Sequence, residues 1–151
     1  MGSEPREVEK VRERFGDALR EVIYFRGEET LAVDPARIVE ICRFLKEDPE
    51  MDFDMLLDVT GTHFLEREYS YEVAYLLLSL KRRVRVRLWA RLGEEGEIDT
   101  VSGVWRTADW HEREAYDLVG IRFRGHPDLR RIIMPDDFDG HPLRKDFPLE
   151  Q

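Results

Sequence analysis

The chain has 151 residues, 42% of them hydrophobic and 38% charged, with a net charge of −9 at pH 7 and one cysteine. That length suits a single domain with a real core, and the apolar content excludes an intrinsically disordered chain. The acidic balance argues against nucleic-acid binding unless cations gather on one face, and lone Cys42 excludes an intramolecular disulfide and fits a reducing compartment.

Met1–Glu9 is charged rather than apolar, so no signal peptide is expected. From Glu4 to Phe15 the apolar residues Val8, Val11 and Phe15 repeat at helical spacing, and the helix should end near Gly16. Leu19–Phe25 and Thr30–Val33 are β-rich runs joined by Arg26-Gly27-Glu28-Glu29, which reads as a hairpin. Asp34-Pro35 then opens a second helix, with Asp34 as N-cap and Pro35 in the first helical position. Its apolar stripe is Ile38, Ile41, Cys42 and Leu45, and Asp48-Pro49 stops it. Cys42 lies on that stripe and so reads as a small core residue.

Three strands follow. The first, beginning at Met55–Val59 and resuming at Thr62–Leu65, is interrupted at Gly61 by a turn or a bulge. The second, Glu72–Leu80, is leucine-rich enough to be covered on both faces, with a helix as the alternative. Its apolar run from Val73 is far short of the ~20 residues that span a bilayer. In the third, Val84–Leu92, Val84, Val86, Leu88, Ala90 and Leu92 alternate with Arg85, Arg87, Trp89 and Arg91. The basic stripe of Arg82, Arg83, Arg85, Arg87 and Arg91 can be a nucleic-acid platform, or a solvated sheet face covered by acidic groups; the acidic total favours the second. The resulting α-β-β-α-β-β-β order predicts an α+β fold, a mixed or antiparallel sheet with helices on one face.

Asp109–Gly120 is the next helix, with Asp109 and Glu112 spaced like a capping box and Gly120 suited to a left-handed C-cap. It has no clean polar face: Glu114 falls between Trp110 and Leu118, and Glu112 between Val119 and Tyr116. A helix with carboxylates inside apolar arcs is packed on several sides, and those carboxylates need partners. Glu112, Glu114 and Asp117 can form a general acid/base set, but no nucleophile, phosphate loop or metal spacing accompanies them. Pairing with Arg122, Arg124, Arg130, Arg131 and Arg144 is the favoured reading.

Residues 121–151 carry Pro127, Pro135, Pro142 and Pro148, a spacing that no regular helix or central strand survives. Yet Leu129, Ile132, Ile133, Met134, Phe138, Leu143, Phe147 and Leu149 demand burial, as in an extended strap that lies across another protein. The division expected is a core domain over 1–120, including the helix at 109–119, and a docking strap over 121–151. The strap repeats itself: Gly125-His126-Pro127 and Gly140-His141-Pro142 are each followed by leucine and two basic residues within the next few positions. His126 and His141 with Asp136, Asp137 and Asp139 can be a metal site, or the repeats can be two turns anchoring the strap. The histidine spacing matches no standard ligand pattern.

The run Asp109-Trp110-His111-Glu112-Arg113-Glu114-Ala115-Tyr116-Asp117-Leu118-Val119-Gly120-Ile121 resembles the signature helix of the C-type subunit (the 30 kDa subunit family) of NADH:quinone oxidoreductase, respiratory complex I. The resemblance continues through Phe123, Gly125–Ile132, Pro135-Asp136-Asp137 and Gly140–Leu149, and is weaker upstream. One departure is Asp99–Trp105, which has no proline where members often carry one before the tryptophan.

The resemblance implies a non-catalytic subunit of the quinone module in the peripheral arm. It would brace the D-type subunit, which is hydrogenase-related and helps form the quinone site, beside other peripheral-arm subunits. It would lie on the cytoplasmic face of the bacterial cell membrane, reaching the membrane only through the complex. No cofactor is expected on this chain, although the whole complex is expected to carry FMN, iron–sulfur clusters and quinone; a lone cysteine agrees, since a cluster generally takes four. Glu112, Arg113, Glu114, Tyr116, Asp117, His126, Arg130, Arg131, His141, Arg144 and Lys145 carry over as structural and docking residues, none catalytic, cofactor-binding or metal-binding. Related membrane-bound hydrogenases and ferredoxin-fed complexes are the neighbouring alternative, and a free-standing metal-dependent hydrolase the distant one.

Overall fold

The computed structural model describes residues 4–146. Helix α1 (Arg6–Phe15) buries Val8, Val11 and Phe15, and Gly16 with φ +53° ends it. A 3-10 turn leads into β1 (Leu19–Phe25), which returns as β2 (Glu28–Val33) through Arg26-Gly27. Both turn residues have positive φ (52° and 81°), the primed geometry whose twist matches a hairpin. Pairing therefore starts at Glu28, two residues earlier than the sequence suggests. Asp34 Oδ1 accepts from Ala36 N at 3.0 Å, and a 3-10 turn carrying Pro35 feeds α2 (Ile38–Glu47). Ile38, Ile41, Cys42 and Leu45 are its buried stripe.

Strand β3 (Met55–His63) runs unbroken through Gly61. The irregularity lies between Leu56 and Asp58, where the extra residue Leu57 lets both Leu56 and Val59 face inward. Gly61 has a different purpose: a Cβ there would stand 2.6 Å from Ile121 Cδ1, so its bare backbone admits a close neighbour. Strands β4 (Tyr71–Ser79) and β5 (Val84–Leu92) alternate strictly, with Tyr71, Val73, Tyr75, Leu77 and then Val86, Leu88, Ala90, Leu92 inward. The sheet order is β1-β2-β5-β4-β3, parallel at β2–β5 and antiparallel elsewhere. This is the expected mixed α+β sheet, with α1 and α2 packed on its inward face to form one core.

After β5 the chain forms β6 (Glu97–Asp99), the Val101–Trp105 turn, α3 (Ala108–Val119) and β7 (Arg122–Arg124). Trp105 closes the turn by donating its Nε1–H to Phe53 O at 3.1 Å. Strands β6 and β7 pair in parallel, so the tail opens with a short strand where none is expected from its prolines. Ile121 and Phe123 enter the core there. From Gly125 to Asp146 the tail has no regular helix or strand, and it lies back along α3. Phe147, Pro148 and Leu149 fall outside the described residues.

Candidate functional site

The side chains singled out in the sequence meet along α3, which has β3 on one side and the tail on the other. The helix begins at Ala108, two residues before the capping-box geometry would start it, and Thr107 uses its hydroxyl on Leu56 O (3.2 Å). Asp109 therefore sits inside the first turn, and Glu112 turns inward, fully buried. Its Oε1 takes the Thr100 hydroxyl in a short hydrogen bond and its Oε2 accepts from Val101 N at 2.8 Å. Burial pushes the Glu112 carboxyl up to about 7, against the lowering effect of Thr100 and Val101 N–H and with help from the Asp109 charge.

At this end of α3 lies His126, whose side chain is 1% exposed. Its Nδ1 accepts from Asp128 N at 2.9 Å, which leaves Nε2 as the donor, 3.1 Å from Asp109 O. At the other end His141 Nδ1 lies 2.8 Å from Asp117 O, and its ring fills the space beside Gly120 (φ +91°). A Cβ on Gly120 would stand 3.0 Å from His141 Cδ2, and Tyr116 meets the same ring at 5.5 Å. The two Gly-His-Pro turns thus clasp opposite ends of one helix. Their carbonyl partners are eight residues apart, about 12 Å along a helix, so the two rings cannot share one metal ion. Among the described residues no group of three histidine, cysteine or acidic side chains is arranged to hold a metal.

Between the clasps Asp117 is the fastening point. Its Oδ2 accepts from three consecutive tail amides, Ile132 (3.1 Å), Ile133 (2.6 Å) and Met134 (2.9 Å), and its Oδ1 from Arg131 at 2.8 Å. Burial alone would raise this carboxyl; the three amides and the guanidinium outweigh it and hold the group below the usual aspartate range. Arg131 also donates to Gly140 O at 2.6 Å, tying the two turns to each other. Leu143 N donates to Leu118 O (2.6 Å), and Lys145 N to His63 Nδ1 (3.0 Å). Burial, with the Arg144 and Lys145 charges, lowers the His63 imidazole, which keeps its ring nitrogen available as an acceptor.

Of the expected arginine–carboxylate joints on α3, only Asp117–Arg131 forms among the described residues. Glu114 is part-exposed and lies 3.5 Å from His111, which also approaches Asp58 at 3.3 Å. Arg124 pairs with Asp99 (3.0 Å), Arg130 with Asp128 (2.9 Å) and Arg144 with Asp146 (2.8 Å), all within their own neighbourhoods. Arg122 is exposed and pairs with none of the helix carboxylates. The reason is supply: buried Glu112 and Asp117 satisfy most of their lone pairs with backbone N–H groups and a hydroxyl. Arg113 lies over Trp110 and reaches Arg130 O at 3.5 Å, and Lys145 contributes its amide rather than its ammonium. Sequence reasoning missed Thr100, His63 and Gly61 as members of this site. Only Gly61, an interruption in a strand pattern, carries any local signal.

A shallow groove of about 210 Å³ runs between β3 and α3, lined by Asp58, Val59, Gly61, Glu114, Leu118 and Leu143. It holds no serine, cysteine or threonine–histidine pairing of the kind that activates a nucleophile. The exposed large apolar side chains nearby are Trp110 (53%), Ile133 (51%) and Leu143 (57%). The site is built to fix the tail while leaving these side chains in water.

The profile of the family described as "Respiratory-chain NADH dehydrogenase, 30 Kd subunit" matches residues 31–151, which include α3 and the whole tail. The chain is 53% identical over 139 residues to a C-type subunit of NADH-quinone oxidoreductase from Rhizobium etli (strain CIAT 652), covering 92% of this chain and 74% of that one. It is 50% identical over 151 residues to the C-type subunit of NADH-quinone oxidoreductase from Geotalea uraniireducens (strain Rf4), covering 99% and 91%. Among solved structures, a chain of the membrane-bound sulfane sulfur reductase, an archaeal respiratory membrane complex, superposes with a TM-score of 0.78. At 23% identity, over 94% of this chain and 84% of that one, it shares the fold. A core sheet, a signature helix and a tail clasped along it thus coincide with extensive sequence identity, and the chain belongs to the family of the 30 kDa subunit of respiratory-chain NADH dehydrogenase.

Proposed function

We propose that this chain is a non-catalytic subunit in the peripheral arm of a proton-translocating NADH:quinone oxidoreductase. Its strap, residues 121–151, braces the hydrogenase-related D-type subunit while electrons pass from NADH to quinone. The observation that carries the reading is the fastened but uncovered strap: Asp117, His126 and His141 hold it to α3, while Ile133, Leu143 and neighbouring Trp110 remain more than half exposed. Apolar side chains presented on an immobilised segment lose little further entropy on docking. The α3 carboxylates suit this role better than acid/base work, because Asp117 is wholly engaged and Glu112 is sealed from solvent.

In this reading FMN, iron–sulfur clusters and quinone belong to other subunits. The chain meets the cytoplasmic side of the membrane only through the complex. No helix among the described residues is long and apolar enough to cross a membrane. Co-expression with the D-type subunit tests the role: the two should co-purify, and Ile133→Asp with Leu143→Asp should cut recovery at least tenfold at unchanged melting temperature. A monodisperse monomer that ignores that subunit, or turnover by the isolated chain, would overturn it. The fold likeness to a chain of the sulfane sulfur reductase complex supports a second reading, the same bracing role in a machine fed by another donor. Flavin- and NADH-binding subunits in the purified complex decide between the two.

A further inference from the structure

The five-stranded sheet has a second face, away from α1 and α2. In register across it stand Phe25, Glu28, Arg85, Leu78 and Met55 in one row, and Ile23, Thr30, Arg87, Leu76 and Asp58 in the next. The outward side of β4 is an apolar ladder of Ala74, Leu76 and Leu78, and beside it β5 presents Arg85, Arg87, Trp89 and Arg91. At its β3 edge α3 reaches this face, with His111 3.3 Å from Asp58. The other side chains of the two rows form no hydrogen bond or ion pair with a helix or the tail among the described residues. At the end near the β4–β5 turn the exposed apolar side chains concentrate: Phe25 (68%), Leu80 (58%) and Met55 (38%).

The structure sorts the basic stripe into engaged and free members. Arg82 pairs with Glu7 at 3.1 Å, Arg87 with Glu28 at 3.7 Å, and Arg91 with Glu72 and Glu21 at 3.2 and 3.5 Å. Lys81, Arg83 and Arg85 are exposed, and no ion pair among the described residues reaches their side chains. Arg85 is in register with Leu78, and Lys81 and Arg83 lie in the turn that follows Leu80, so this end of the face is an apolar and cationic corner on a chain whose net charge is −9. A surface that combines exposed apolar side chains with unneutralised charge of the minority sign fits a partner of opposite charge and matching apolarity.

We propose that this corner of the outer sheet face is a second docking surface, and that its occupant is an acidic segment of a neighbouring polypeptide that also presents apolar side chains. A polynucleotide fits worse: Trp89 is half-buried with Arg91 over its ring at 5.3 Å, so no free stacking platform is offered, and the carboxylates of Glu28, Asp54 and Asp58 flank the patch. Those same carboxylates disfavour an anionic lipid surface, whereas a polypeptide can place its acids against Lys81, Arg83 and Arg85 and avoid them. The surface lies on the opposite face of the sheet from the helical core, away from the clasped tail, so the inference stands whether or not the strap docks to the D-type subunit.

The test is site-specific photo-cross-linking in cells that assemble the whole complex, with p-benzoylphenylalanine at Leu80 and, separately, at Phe25. Both probes should cross-link to one segment of another subunit, and that segment should carry net negative charge beside apolar residues. Lys81→Glu with Arg85→Glu should lower the Leu80 cross-link at least tenfold at unchanged melting temperature. Cross-links to lipid or nucleic acid, no cross-link in the assembled complex, or a yield indifferent to the charge reversal would each overturn the proposal.

Discussion

Asp117 and Glu112 sit five residues apart on one helix, both without exposed surface, and their carboxyls are driven in opposite directions. The difference is donor count. Asp117 gathers three amides and a guanidinium, while Glu112 has one amide and one hydroxyl in a deeper setting. Replacing Asp117 with Ala strands three part-buried amides and Arg131, and should cost about 3 kcal/mol of stability, read from urea melts. Because its folded carboxyl lies below the unfolded value of about 4, Asp117 adds stability above that pH, and this is lost as acidification passes through the folded value. Glu112 works the other way. Its proton is held more tightly in the folded chain, so its contribution is undiminished below pH ~4, declines as pH rises toward 7, and is level above that. Glu112→Gln keeps an acceptor for Val101 N and gains a donor for the Thr100 hydroxyl. The stability of this variant relative to the parent should therefore grow by on the order of 2 kcal/mol between pH 5 and pH 8. A flat difference across that range would mean that Glu112 is solvated.

At the scale of elements, the joint between β3 and α3 rests on a missing side chain. Gly61 lets Ile121 Cδ1, Ala115 and Val119 approach the strand backbone. Gly61→Ala should cost about 1–2 kcal/mol through overpacking, although alanine suits a strand better than glycine. Ile121→Val removes the clashing methyl, so the double variant should recover part of the loss, a non-additivity measurable by a double-mutant cycle. Additive costs would place the strain elsewhere. This joint also marks where the sequence stops being legible. Strands β4 and β5, the β1–β2 hairpin and the Asp34-Pro35 helix start are local patterns, and they read correctly, apart from a hairpin turn drawn two residues too long. The bulge at Leu57 carries no special residue, so a period-2 reading fails there and assigns the break to the nearby glycine. The capping-box spacing at Asp109 misleads because Glu112 has better donors in a loop it meets only after folding. The three-residue ladder of β6 and β7 is too short to leave any periodicity.

At the scale of the whole molecule, the irregular course of the tail beyond β7 is legible from its prolines, and the doubled Gly-His-Pro as two anchor points. Where those anchors attach is not, because Lys145 meets His63 across 82 residues and Ile133 meets Asp117 across 16, separations that leave no local pattern. If the tail docks to a partner as proposed, the clasps have a consequence for assembly: a tail already tied to α3 is ordered before that partner arrives. In the isolated chain the amides of Ile132, Ile133, Met134, Leu143 and Lys145, all hydrogen-bonded to α3 or β3, should exchange with deuterium roughly 100-fold more slowly than those of exposed Asp136, Asp137 and Asp139. That ratio corresponds to an opening free energy of about 3 kcal/mol, the size of the Asp117 fastening. Asp117→Ala should erase the protection at Ile132–Met134 first, since those three amides share its single oxygen. If all these amides instead exchange at the rate of the exposed aspartates until the D-type subunit is added, the strap folds on docking. The partner would then have to offset the ordering entropy of some twenty residues, and the clasps would be a product of assembly rather than a preparation for it.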